Sequence, residues 1–465
     1  AEDAIRLQES KQGPFRFGFN HEVDLGLANS GVWSTMSNGD RVWRLGIRCP
    51  EAYSINFVFD RYVVPVGAKV FVYNESGDVI GGFTAESNPG HAVLGVTQVP
   101  GERITVEYVE PASVQGRGEL HINQVTHAYR DVVGSAPSLN ESGSCNNNVI
   151  CPVGDPWRNQ IRSVAMITVG GSGFCTGQLI NNCADDGTPY FLTARHCTQG
   201  DNVATWVFRF NWDSPTCSTT SNAPTNRTVS GSTMRATVSN ADAALLQLNS
   251  TPPESYNVFY TGWDKSTTAA TSATGIHHPS GDIKKISFEY QPVTSATYGG
   301  AQVWRVSAWN DGTTEGGSSG SGLWNQNGLL VGQLYGGEAS CSYNFNDYYG
   351  KLSTSYSSFS QWLGNCGNQL QGYPITTGIA DTVMDGPLVI APNPSTGRVA
   401  ISVPVRSGTL AIRVLDAVGR VVEERTVTAS GDRIELDLSE NAEGVYSVQV
   451  VAADKRYTSR LVLAR

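Results

Sequence analysis

The chain has 465 residues, with 50 Gly, 21 Pro, 16% charged and 40% hydrophobic positions. That length predicts roughly two to four domains. The ordinary charge and apolar content exclude a disordered chain, and the formal net charge of −10 argues against a protein that coats nucleic acid. No run of about 18 apolar residues occurs, so a membrane-spanning helix is excluded, and the abundance of Thr, Ser, Val, Tyr and Gly predicts a mainly β chain.

Residues 1–130 read as short strands between turns, with runs at Tyr53 to Val63, Ala68 to Tyr73, Arg103 to Tyr108 and Glu119 to Tyr129. Their apolar–polar alternation predicts a β-sandwich buried on one face. His21, His91, His121 and His127 are scattered without metal-ligand spacing and read as surface or core residues. Residues 131–141, rich in Ser, Gly, Pro and Asn, read as a linker. A cysteine-bearing block spans 142–366, and a loose segment follows at 367–388. The block at 389–465 has strand-like runs at Val399 to Val405, Leu410 to Leu415, Arg433 to Leu438, Val445 to Val451 and Tyr457 to Leu463, with the spacing of an Ig-like sandwich.

Eight of the nine cysteines lie in the central block, and none follows a CxxC pattern. An even set in one domain predicts disulfides and an oxidising, extracytoplasmic location. Cys49, alone upstream, reads as a buried thiol. The opening Ala1-Glu2-Asp3 shows no signal-peptide pattern, so a signal peptide is expected to have been removed already, or never to have been part of this sequence.

Three segments of the central block carry chemistry. An apolar strand runs into a histidine at Tyr190-Phe191-Leu192-Thr193-Ala194-Arg195-His196-Cys197. An aspartate stands at the mouth of the apolar run that begins Asn240-Ala241-Asp242-Ala243. A glycine-rich loop holds a serine at Gly316-Gly317-Ser318-Ser319-Gly320-Ser321-Gly322. Each is weak alone; together they have the His, Asp, Ser chain order of a chymotrypsin-like triad. A serine hydroxyl needs a base to take its proton, and a carboxylate fixes the tautomer of that base. The amides of Gly317 and Ser319 are the candidate oxyanion donors.

The block from about Ser142 to Cys366 resembles the lysyl endopeptidases, secreted bacterial serine proteases of chymotrypsin-like fold. The resemblance is carried by Ser142-Gly143-Ser144-Cys145, Val149-Ile150-Cys151-Pro152, the Cys-Thr-Gly at 175–177, Leu179-Ile180-Asn181-Asn182, Tyr190 to Cys197, Ile276-His277-His278-Pro279 and Gly332-Gln333-Leu334. It implies a double β-barrel with His196 as general base, Asp242 as its orienting acid and Ser319 as nucleophile. It also implies the pairs Cys145–Cys341, Cys151–Cys217 and Cys175–Cys197. Cys183 and Cys366 lie outside the family's common set and are paired with each other by elimination. His277 and His278 belong to the family motif and read as structural, and neither a metal nor an organic cofactor is expected.

By the same resemblance Asp347 lies at the base of the primary specificity pocket and selects Lys or Arg before the scissile bond. Two positions depart from the family: Tyr335 stands where it has His, and Tyr298 or Trp304 stands near its Trp. Strict lysine selection is therefore open, and cleavage after Arg is included in the expectation. Leu334-Tyr335-Gly336-Gly337 is expected to offer an edge to the substrate backbone. The resemblance implies that the N-terminal β domain is a pro-region, and that domain is a candidate inhibitor of the cleft. The linker has no basic residue between Arg130 and Arg158. Self-maturation there therefore requires cleavage after Arg130; otherwise another protease acts or the domain stays attached.

The last block resembles the type IX secretion sorting domain through Ala391-Pro392-Asn393-Pro394-Ser395-Thr396-Gly397, Val414-Leu415-Asp416-Ala417-Val418-Gly419-Arg420 and Gly444-Val445-Tyr446. This implies export through an outer-membrane secretion machinery to the cell surface or beyond. The expected function is a secreted serine endopeptidase acting on proteins or peptides with Lys or Arg. The alternative is a non-catalytic protease homologue serving as a surface adhesin.

Overall fold

The structure, a computed structural model, describes Lys11 and residues 13–133, 142–217, 225–374, 388–402, 408–416, 420–429, 433–452 and 455–464. The linker residues 134–141, residues 375–387 of the second loose segment and Ala417-Val418-Gly419 of the sorting motif lie outside the described residues. The chain is mainly β and divides into two compact units, residues 1–375 and 376–465.

The first unit begins with a two-layer sandwich. One antiparallel sheet runs in the order Gly18–Gly26, Glu119–Ala128, Ser54–Val63, Leu94–Pro100. The other runs Val32–Thr35, Arg41–Arg48, Arg103–Glu110, Lys69–Asn74, Val79–Phe83. In Arg103–Glu110 the residues Ile104, Val106 and Tyr108 point inward at every second position. They meet Trp43, Phe57, Phe59, Val70 and Ile122 in a single core. Cys49 is a buried free thiol whose ionisation burial pushes up.

Two barrel-type sheets follow. The first is ordered Thr228–Ser230, Val207–Phe210, Val164–Val169, Gly173–Leu179, Tyr190–Ala194, Ala243–Leu248, Ser232–Val238. The second contains Asn147–Asn148, Lys285–Glu289, Ala273–His277, Gly322–Asn325, Leu330–Gly337, Phe345–Lys351, Ala301–Ala308 and Thr294–Tyr298 in that order. Val164–Val169 and Gly173–Leu179 are buried along their whole length. One reason lies in the N-terminal sandwich: Phe15, Phe17, Ala128 and Val132 share a cluster with Met166, Phe174, Trp212 and Ile283.

Hydrogen bonds reinforce that contact. Asn56 Nδ2 donates to the Gly171 carbonyl at 2.8 Å, Asn88 Nδ2 to the Ala204 carbonyl at 2.9 Å, and Gln98 Nε2 to Thr168 Oγ1 at 3.1 Å. Arg209, 2% exposed, donates to Gln98 Oε1 at 2.6 Å and to the Val132 carbonyl at 3.3 Å. Its guanidinium also lies over Trp212, and burial pulls its pKa down to about 10.

A helix, Leu352–Leu363, closes the second barrel. Leu352, Tyr356, Phe359 and Leu363 are buried at helical spacing. It stops at Gly364, whose φ of +83° suits glycine. A side chain there would meet Cys183, which is bonded to Cys366. The second unit contains a sheet of Val389–Ala391, Arg398–Ser402 and Arg433–Asp437, and another of Val421–Ala429, Gly408–Leu415, Gly444–Ala452 and Lys455–Leu463. Its core holds Ile401, Leu410, Ile412, Val448 and Leu461. Among the described residues no helix is long and apolar enough to cross a membrane.

Candidate active site

Strand register brings His196 and Asp242 together. Tyr190–Ala194 pairs antiparallel with Ala243–Leu248, and Ala194 faces Ala243. The residues just beyond each strand end therefore meet. Asp242 adopts a left-handed conformation with φ of 47° and turns its carboxylate toward the histidine loop. Its Oδ2 lies 2.6 Å from His196 Nδ1, and its Oδ1 accepts the His196 backbone N–H at 2.9 Å. Gln333 Nε2 donates to the Ala241 carbonyl at 2.8 Å and fixes the turn from behind. Nε2 of His196 is buried without a hydrogen-bond partner, and the ring lies 6.0 Å from that of Tyr335.

Ser319 is buried in a loop shaped by glycines. Gly317 and Gly320 have φ of +89° and +85°. A Cβ at Gly320 would stand 2.4 Å from the Thr176 carbonyl oxygen, which no ordinary side chain allows. The Thr176 N–H donates to the Ser319 carbonyl at 2.8 Å, and its hydroxyl donates to the Gly317 carbonyl at 2.9 Å. Next to Thr176, Cys175 is bonded to Cys197, so one disulfide ties the serine loop's support to the histidine turn. Cys175, His196 and Cys197 are the one metal-like grouping among the described residues, but both sulfurs are committed to that bond. The other bridges are Cys145–Cys341, Cys151–Cys217 and Cys183–Cys366.

His277 braces the same loop from below. The Ser287 hydroxyl donates to the Thr313 carbonyl at 2.6 Å, so it accepts from His277 Nε2, 3.1 Å away. Nδ1 then accepts from the Ser318 hydroxyl at 2.8 Å. Burial, with the charges of Lys11 and Lys285 adding, lowers the His277 pKa to about 3, which keeps the ring neutral. His278 Nδ1 donates to the Asp282 carbonyl at 3.0 Å, and burial lowers its pKa too.

Asp347 is fully buried on Phe345–Lys351. Its Oδ2 accepts from Trp309 Nε1 at 2.7 Å and from Thr314 Oγ1 at 2.6 Å. Its Oδ1 accepts from an ammonium that belongs to the chain itself: Lys11 Nζ lies 2.8 Å from Oδ1 and 2.7 Å from Thr314 Oγ1. Lys11 is 4% exposed; burial pulls its pKa down and Asp347 opposes that. At its other end, the Lys11 carbonyl accepts from Ser319 Oγ at 2.9 Å. Lys11 thus spans the site from buried carboxylate to serine.

The aromatic wall is formed by Tyr335, Tyr298 and Tyr348. Tyr298 stacks on Tyr348 at 4.2 Å and meets Tyr335 edge-on at 5.2 Å. Trp304, the other candidate for this wall, instead packs into the barrel core beneath Lys351. Gly336 sits opposite Tyr348 on the neighbouring strand. Sequence reasoning missed Lys11, Trp309, Thr314 and Tyr348. The one available signal for Lys11 was its isolation, since the next lysine is Lys69.

Comparison with known proteins follows the same division of the chain. Residues 139–350 match the family model of the lysyl endopeptidase C-terminal domain, and residues 389–464 match that of the secretion system C-terminal sorting domain. The chain is similar to the lysyl endopeptidase of Pseudomonas aeruginosa, with 34% identity over 296 residues. That match covers 57% of this chain and 62% of the relative, so it spans less than two thirds of the relative's length. Among solved structures the chain is similar to Rv3671c from M. tuberculosis H37Rv in an inactive form, at 14% identity and a TM-score of 0.30, covering 43% of this chain and 86% of that one. It is also similar to the MamO protease domain of Magnetospirillum magneticum, at 12% identity and a TM-score of 0.29, covering 43% and 97%. The chain thus carries a domain of the lysyl endopeptidase type and a secretion sorting domain, the latter marking it as a secreted or cell-surface protein.

Proposed function

We propose that this chain is a secreted endopeptidase that cleaves proteins after lysine through an acyl-enzyme on Ser319. The observation that carries the reading is the placement of Lys11, with its ammonium on Asp347 and its carbonyl at the Ser319 hydroxyl. A lysine before the scissile bond of a substrate would lie the same way. His196 Nε2, without a partner, is free to take the serine proton, and Asp242 holds Nδ1–H and stabilises the imidazolium. The Gly317 and Ser319 amides would receive the oxyanion, and His196 would return the proton to the leaving amine. Tyr335, Tyr298 and Gly336 would flank the bound residue, and the outer-membrane secretion machinery would be the partner in export.

Asp347 favours Lys over Arg. Trp309 and Thr314 both occupy Oδ2, which leaves Oδ1 for the incoming cation. One open oxygen suits an ammonium, a point donor, whereas a guanidinium loses its two-pronged geometry. Peptides differing only in Lys or Arg before the scissile bond should show kcat/KM at least about tenfold higher for Lys. Asp347→Asn should lower kcat/KM for the lysine peptide by about 30-fold or more, the loss of a buried charge partner. Equal hydrolysis of both peptides would refute the lysine preference. No hydrolysis of either by this chain or by its Lys11→Gln variant, against a Ser319→Ala control, would restore the adhesin reading.

A further inference from the structure

We infer that Lys11 marks a self-cleavage site: the chain binds its own N-terminal segment as substrate and is latent until it cuts after Lys11. This rests on the endopeptidase reading above. Lys11 is engaged at both ends, its ammonium on Asp347 and its carbonyl oxygen at the Ser319 hydroxyl. The chain then leaves the pocket in a defined direction. Gly13, Pro14 and Arg16 line one groove with His196 and Cys197. Phe15 and Arg16 then add as an antiparallel strand to Phe174 and Gly173, beside the Cys175–Cys197 bridge. Residues downstream of Lys11 therefore lie on the His196 side, where the base must protonate a leaving amine.

The downstream segment is anchored well. Phe17 N–H donates to the Ser172 carbonyl at 2.9 Å, and the Phe17 and Phe174 rings stack at 4.2 Å. Arg130 lies over Phe15. The sandwich thus delivers Lys11 to the pocket as a tethered ligand, which excludes other lysines by effective concentration.

The chemistry balances. Ser319 Oγ adds to the Lys11 carbonyl carbon and its proton passes to His196 Nε2. The Lys11–Gln12 bond breaks as that proton moves to the Gln12 nitrogen, and water then hydrolyses the Lys11 ester. The products are a Lys11 carboxylate and a new amino terminus at Gln12. The piece ending in Lys11, now held only by its own contacts, leaves the pocket open.

The test compares four full-length chains: wild type, Lys11→Gln, Ser319→Ala, and Ser319→Ala with Lys11→Gln. Intact-mass measurement of the wild type should show loss of everything up to Lys11, at a first-order rate unchanged by about 100-fold dilution, as an intramolecular reaction requires. Lys11→Gln should keep its N-terminal segment and hydrolyse a tripeptide lysine anilide without lag. A fluorescent lysine peptide should bind the double variant at least about tenfold more tightly than Ser319→Ala alone, whose pocket stays filled. Two results would overturn the inference: an active wild type that retains residues up to Lys11, or equal peptide binding by the two Ser319→Ala chains. Failure of wild type and Lys11→Gln alike to hydrolyse the anilide would instead remove the endopeptidase reading on which it stands, and the self-cleavage with it.

Discussion

At the scale of single residues, the site depends on buried polar and titratable groups. His277 is the clearest case for pH. Its folded pKa is pushed from 6.5 to about 3, and that of His278 is lowered as well. An unfolded chain takes up these protons as the pH falls through about 6.5, and the folded chain does not until far lower. Stability from this source is therefore complete above about pH 6.5 and is lost progressively toward pH 3. The urea midpoint should fall steeply over that window, and His277→Gln, which cannot charge, should flatten the slope. His196, Asp242, Ser319 and Asp347 were legible from motif and resemblance because chemistry constrains residue type and spacing. Trp309 and Thr314 were not, because what they do depends only on their meeting the Asp347 carboxylate in space.

Among elements, legibility followed burial. The alternating strand Arg103–Glu110 was visible because one face is wet and the other dry. In the C-terminal block, Gly408–Leu415 and Gly444–Ala452 enclose the predicted runs almost residue for residue, and the run predicted from Val399 to Val405 is strand through Ser402, its last three positions lying outside the described residues. Val164–Val169 and Gly173–Leu179 carry no such alternation, being covered on both faces. The helix Leu352–Leu363 was missed outright: its serines are poor helix formers, and only the spacing of Leu352, Tyr356, Phe359 and Leu363 reveals it. The Cys175–Cys197 bridge joins two elements across 22 residues of sequence and braces the histidine turn. Replacing both cysteines by alanine should cost about 3 kcal/mol of stability, read as a lower melting temperature. It should also lower kcat more than KM, since His196 is displaced while Asp347 is not.

For the molecule as a whole, the N-terminal sandwich is built into the barrel domain and not merely strung to it. Asp131, Val132 and Val133 are buried, and Arg209 reaches across to the Val132 carbonyl. The bond after Arg130 is therefore out of a protease's reach while the sandwich stays docked, which separates the fate of that bond from that of the proposed site after Lys11. Cleavage within 134–141 should leave one species in native gel filtration and two bands after denaturation. Immediate separation of the two pieces would show that Asn56, Asn88, Gln98 and Arg209 contribute little to holding them.

The shared cluster of Phe15, Phe17, Ala128 and Val132 with Met166, Phe174, Trp212 and Ile283 has a further consequence, for the order of assembly. The sandwich emerges from the ribosome first, and all its strands lie within residues 18–128, so it can close before the barrel strands that it covers have been made. When the barrel strands arrive, a finished apolar face with the side-chain amides of Asn56, Asn88 and Gln98 already displayed is there to receive them. A protease chain made without its first 130 residues would have to close the same sheet with Met166, Phe174 and Trp212 bare to water, and its yield on refolding should fall for that reason alone.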